Sequence, residues 1–166
     1  MKNKTSLLFV LGLVLVGLLV NSCKKDNQGT IETLLTAGKW QLASVVATVY
    51  LGDATLSTTT LNTTCDTTQI FSFNTDNSCT YSNFDCIPQT SSGRWSLSAD
   101  KLTLSADMTC RDTTAVGTSK PFVAARIINL GQYSMVLDTG NIQTYDVTKP
   151  RTIVRYGFVH QKTTIK

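Results

Sequence analysis

Three groups of residues in this sequence have side chains able to do chemistry. Asp138-Thr139-Gly140 can present a carboxylate for hydrolysis, but acid–base cleavage of that kind needs two carboxylates sharing one proton. The chain holds one copy of the triplet, at the end of an apolar run where Asp and Gly also serve a tight turn. His160 is the single histidine and the only side chain able to act as the base of a Ser-His-Asp machine. It stands without a Gly-x-Ser-x-Gly nucleophile turn, beside the strand-like Val154, Tyr156 and Phe158. The five cysteines are Cys23, Cys65, Cys79, Cys86 and Cys110, and no two have the short spacing of a zinc site. No phosphate loop or dinucleotide fingerprint occurs. These residues predict no enzyme, no metal and no cofactor.

Cys23 is set apart by what precedes it. Lys2 and Lys4 give a positive start, and Leu7 to Val20 is an unbroken run of 14 apolar or Gly residues. A spanning helix needs roughly 20 apolar residues, and Lys24-Lys25-Asp26 follows at once, so the run reads as an export signal. Val20-Asn21-Ser22-Cys23 resembles the bacterial lipobox, where cleavage falls just before the cysteine. The resemblance implies a signal peptide over residues 1–22, a lipid on Cys23, and anchoring to a membrane of the Gram-negative envelope, the outer membrane being favoured. Residues 23–29 then read as a polar tether, with nothing apolar to bury.

Beyond the anchor, an even number of cysteines in an oxidising compartment predicts two disulfides. Cys65, Cys79, Cys86 and Cys110 allow three pairings; spacing does not choose among them, and Cys65–Cys86 with Cys79–Cys110 is favoured. Losing Lys2 and Lys4 lowers the formal net charge from +4 to +2. The remaining basic residues are scattered from Lys39 to Lys166, without a cluster to follow phosphates, so nucleic acid is not an expected partner. Protein partners are not legible.

The elements that must carry these residues read as a short helix and then strands. Thr30 to Leu35 is helical, with Gly38 to end it. Extended runs follow at Gly38–Leu51, Leu56–Leu61, Gln69–Asn74, Cys79–Phe84, Gly93–Ser98, Leu102–Leu104, Phe122–Leu130, Tyr133–Leu137 and Thr152–Gln161. Thr75-Asp76-Asn77-Ser78, Ala99-Asp100 and Gly131-Gln132 are turn signals between them. Sequential hairpins predict an all-β domain over residues 30–166: a single antiparallel up-and-down barrel of about eight strands with a short N-terminal helix. A two-sheet sandwich is the alternative, since period-2 patterning fits both.

Gly38-Lys39-Trp40 after a helical turn resembles the Gly-x-Trp signature of lipocalins. Gly93-Arg94-Trp95-Ser96-Leu97 and the Phe71-x-Phe73 strand before an Asp-Asn turn resemble lipocalin-like domains of bacterial lipoproteins. The resemblance implies a closed barrel end where Trp40 packs beneath a basic residue of the final strand, Arg155 or else Arg151. The site it implies is the barrel interior, lined by Phe71, Phe73, Tyr81, Trp95, Tyr133 and Met135, with Arg126 as a polar anchor for a small apolar or amphipathic ligand. An eight-stranded barrel either holds one small ligand or is filled by side chains. The second case describes a non-catalytic structural or interaction lipoprotein working through its surface.

Overall fold

A computed structural model describes residues 26–61 and 65–161. The stretch expected to be an export signal (residues 1–22), the expected lipid site Cys23, and Lys24 and Lys25 of the expected tether lie outside the described residues. The chain divides into two compact units, one ending at Glu32 and the other running from Thr33 and holding the sheet. Helix α1 spans Asp26–Thr36, so it begins inside the stretch read as tether rather than at Thr30. No helix among the described residues is long and apolar enough to cross a membrane.

After Gly38 the chain is strand and turn. Strand β1 (Lys39–Leu51) pairs along its length with β11 (Pro150–His160), from Trp40 opposite His160 to Leu51 opposite Pro150. Its other edge is shared: Lys39–Gln41 pair with β3 (Ile70–Phe73), and Val46–Leu51 pair with β2 (Ala54–Thr60). From β3 the chain runs through β4 (Ser78–Ser82), β5 (Thr90–Leu97) and β6 (Thr103–Ala106), each antiparallel to the last. Two short strands, β7 (Cys110–Arg111) and β8 (Thr118–Ser119), pair only with each other. The sheet resumes with β9 (Ala125–Leu130) beside β6, then β10 (Ser134–Gly140) and β11. The β1–β11 pairing closes eight strands into an up-and-down barrel and excludes the sandwich, with β2 left outside the closure.

The turns follow from short polar side chains that replace backbone partners. Asp76 accepts from the Ser78 amide (2.9 Å) and hydroxyl (2.6 Å), and Asp112 does the same for Thr114 at 3.1 and 2.6 Å. Asp146 holds Thr148 likewise, and Asp100 takes the Ser98 hydroxyl and the Leu102 amide. These hydroxyl and amide donors keep all four carboxyls below their ordinary pKa.

Strand alternation sets the core. In β3, β4 and β5, Phe71, Phe73, Cys79, Tyr81 and Trp95 are buried while their neighbours are half-buried or exposed. Met135 and Leu137 of β10 and Tyr156 and Phe158 of β11 complete the ring from the opposite wall.

Candidate functional site

The closed end of the barrel is built around Trp40. Its side chain is fully buried, and the indole N–H donates to the Leu35 carbonyl at 3.0 Å, tying the strand to the last turn of α1. The basic residue against it is His160, edge-on with ring centroids 5.1 Å apart, rather than Arg155 or Arg151. Register decides this: Trp40 lies directly opposite His160, and side chains directly opposite share a face. A Gly is required at position 38, because a Cβ there would stand 2.7 Å from the His160 imidazole.

Arg155 faces outward instead. Its guanidinium makes a fork of hydrogen bonds to Asp138, Nε to Oδ1 at 2.7 Å and Nη2 to Oδ2 at 2.8 Å. This pairing, strong by geometry, raises the Arg155 pKa above its ordinary value. The rest of the Asp138-Thr139-Gly140 triplet is equally committed. The Thr139 hydroxyl donates to the Val154 carbonyl at 3.4 Å. Gly140 sits at φ 88°, where a Cβ would meet the Thr152 carbonyl oxygen at 2.5 Å. The triplet is a strand end with its carboxylate in an ion pair.

The middle of the barrel is where sequence reasoning placed a ligand, and it is occupied by aromatic rings. Phe71, Tyr81 and Met135 are fully buried, with Phe73 and Trp95 close to it, so five of the predicted lining residues do come together. The Trp95 indole donates to the Asn74 carbonyl at 2.9 Å. At the centre lies Phe122, which belongs to no strand. Its ring centroid lies 4.9 Å from Phe71, 5.5 Å from Tyr81 and 5.0 Å from Tyr156, with Phe84 and Phe158 at 6.2 and 6.4 Å. The loop carrying it is fastened. The Ala106 amide donates to the Phe122 carbonyl at 2.8 Å, and the Ser105 hydroxyl to that of Val123 at 2.9 Å. Further back, Gln89 makes a reciprocal pair with the Arg111 backbone, and Asp85 takes the amide and hydroxyl of Thr113.

Two of the expected lining residues are elsewhere. Arg126 is exposed on the outer wall, because β9 begins only at Ala125, so Ala125 and not Arg126 is buried. Tyr133 is 74% exposed, since it sits in the turn before β10 starts at Ser134. Of the two expected disulfides, Cys65–Cys86 forms and Cys79–Cys110 does not. Cys65–Cys86 is a disulfide that links the chain before β3 to the single 3₁₀ turn at Phe84–Cys86. Cys79 and Cys110 are free thiols, each buried in the core. Burial pushes Cys79 up to about 11 and raises Cys110 as well, so both are protonated at neutral pH and neither is an activated nucleophile.

Two recesses beside the Cys65–Cys86 disulfide are small. A cavity of about 60 Å³ opens at the barrel mouth between Val45, Leu61, Phe84 and Tyr156, with Gln69 and the Asp85–Cys86 turn on its rim. A polar depression of about 180 Å³ lies over Gln41, Leu42 and Cys65–Gln69. Sites for small organic ligands usually enclose about 300–1,000 Å³, so neither matches that size. The mouth is also backed by buried polar groups already engaged: the Tyr81 hydroxyl donates to Gln69 Oε1 at 3.3 Å, and burial raises the pKa of Tyr81 and takes that of Tyr156 to about 12. Among the described residues, no three His, Cys, Asp or Glu side chains gather to hold a metal ion. No curated protein matches the chain. Residues 36–149 match the family described as a lipocalin-like domain.

Proposed function

The chain belongs to the lipocalin-like domain family, and from that premise we propose a lipid-tethered, non-catalytic protein of the Gram-negative envelope whose barrel is filled and which acts through its surface. The observation that carries this reading is Phe122: a loop residue, fully buried, occupying the centre where a ligand would lie. The committed Asp138 and the protonated Cys79 and Cys110 support the absence of catalysis. A titration with an apolar fluorophore such as anilinonaphthalene sulfonate tests the filled barrel. The expected result is no saturable one-to-one binding by the unmodified protein, and a single saturable site overturns the reading.

One observation favours a carrier instead. Phe122 and Phe84, alone among the rings of the cluster, come from outside the barrel strands, and Phe84 borders the mouth cavity. A loop can withdraw where a strand cannot, and a small apolar ligand would then take the place of Phe122.

The tether is a separate part of the proposal. Each buried CH₂ of an acyl chain contributes about 0.8 kcal/mol, and stable anchoring takes more than one chain. The lipobox-like Asn21-Ser22-Cys23 supports a multiply acylated Cys23. Cys23→Ser is expected to move the exported protein from the membrane pellet to the soluble fraction on cell fractionation. Unchanged pelleting with the membrane contradicts lipid attachment.

A further inference from the structure

Arg151 lies at the end of β11 farthest from His160 and shares the outer face of that strand with Arg155. Directly opposite it on β1 stands Tyr50, whose ring centroid is 5.5 Å from the guanidinium carbon. The loop between β10 and β11 supplies a second ring, Tyr145, with its centroid 4.9 Å from the same carbon. That loop is shaped by Asp146, which holds the amide and hydroxyl of Thr148. Two rings at these distances fix a guanidinium by cation–π attraction and leave its hydrogen-bond donors unanswered.

The donors find no acceptor within the chain. Among the described residues the Arg151 guanidinium makes no hydrogen bond and no ion pair, and its Nε is buried without an acceptor. Neighbouring carboxylates are engaged elsewhere. Asp138 takes the fork of Arg155, Asp146 takes Thr148, and Asp53 faces the Tyr145 hydroxyl and raises its pKa. With Nε closed off, the two Nη groups at the tip of this half-buried side chain are what an outside acceptor can reach.

The surroundings select the acceptor. The guanidinium carbon lies over both tyrosine rings, whose faces carry negative charge density, so an anion is turned away from the ring sides and admitted at the Nη tip. There a planar carboxylate accepts two parallel hydrogen bonds. A tetrahedral phosphate would crowd further oxygens and charge against the rings. Beside the tip, Tyr145 and Val147 stand against Gly52 and are 56% and 62% exposed, an apolar face too small for more than a short organic group. We propose that Arg151, set against Tyr50 and Tyr145, binds the carboxylate of a small organic acid whose apolar part lies on Tyr145 and Val147. The inference goes beyond the filled-barrel reading, because the site is on the outer wall and stands whether or not the interior admits a ligand.

Benzoate, one planar carboxylate on one ring, is the probe. It is added to the full-length chain, purified from the cells that make it, while the arginine Nε–H signals are followed by NMR at mildly acidic pH. The Arg151 signal, assigned by its loss in Arg151→Lys, is expected to shift saturably, and the Arg126 signal to stay in place. Inorganic phosphate is expected to need about tenfold higher concentration for the same shift. Tyr145→Ala, which removes an exposed loop ring and leaves the barrel strands intact, is expected to weaken benzoate about tenfold. No shift at Arg151 overturns the proposal, including when benzoate enters the barrel interior instead. An equal shift at Arg126, phosphate as effective as benzoate, or full affinity in Tyr145→Ala also overturns it.

Discussion

Phe122→Ala is expected to lower the unfolding free energy by about 3–5 kcal/mol, the range for removing a fully buried aromatic side chain. Three effects contribute. The ring's apolar surface loses its burial. Its contacts with Phe71, Tyr81, Phe84, Tyr156 and Phe158 are lost, and a central void remains. The void persists because its walls are strands of a closed barrel, whose backbone hydrogen bonds resist collapse around a missing side chain. For a domain of this size the midpoint temperature should fall by roughly 10–15 °C. The same substitution should create a binding site, since a void lined by aromatic carbon accepts apolar guests. Saturable one-to-one fluorophore binding by the variant, set beside none in the unmodified protein, is the result expected. A loss of stability under about 1 kcal/mol would mean that Phe122 is not seated in the barrel in solution.

Trp40→Ala is expected to cost a similar amount, about 3–5 kcal/mol in urea or thermal unfolding. The indole is fully buried, stands edge-on to His160 and donates to the Leu35 carbonyl, so its loss separates three pieces of the closed end. Trp40→Phe retains most of the apolar surface and removes the N–H, leaving the Leu35 carbonyl without its indole partner. It should cost about 1–3 kcal/mol. Equal costs for the two substitutions would show that the hydrogen bond, and not packing, holds the closed end.

The barrel was legible in the sequence because its signals are local. Phe71 and Phe73 alternate along one strand, Asp76-Asn77-Ser78 makes the turn, and Trp40 follows Gly38 at the head of the longest strand. The plug was not legible. Phe122 lies between Pro121 and a turn ending at Ala124, so no periodicity marks it as interior. Treating it as the start of a strand carried the alternation through the turn and put Arg126 on the apolar face. The turn breaks that phase, and Ala125 takes the buried position. Tyr133 failed for a related reason, since alternation with Met135 holds only if the strand begins at the tyrosine. The cysteine partners depend on which loops meet, which spacing does not encode. The 3₁₀ turn brings Cys86 to Cys65, while Cys79 and Cys110 remain separate in the core. The role of His160 at the closed end could have been found from the resemblance, by asking which basic residue of the last strand lies opposite Trp40 rather than which is an arginine.

The central claim, a barrel filled by its own side chains, is tested most directly by native mass spectrometry of the protein purified from the cells that make it, without a denaturing step. The expected result is no small-molecule mass beyond that of the protein itself, whether before or after denaturation. A stoichiometric small-molecule adduct that disappears on denaturation would contradict the claim. It would place a ligand where Phe122 lies here and make the protein a carrier.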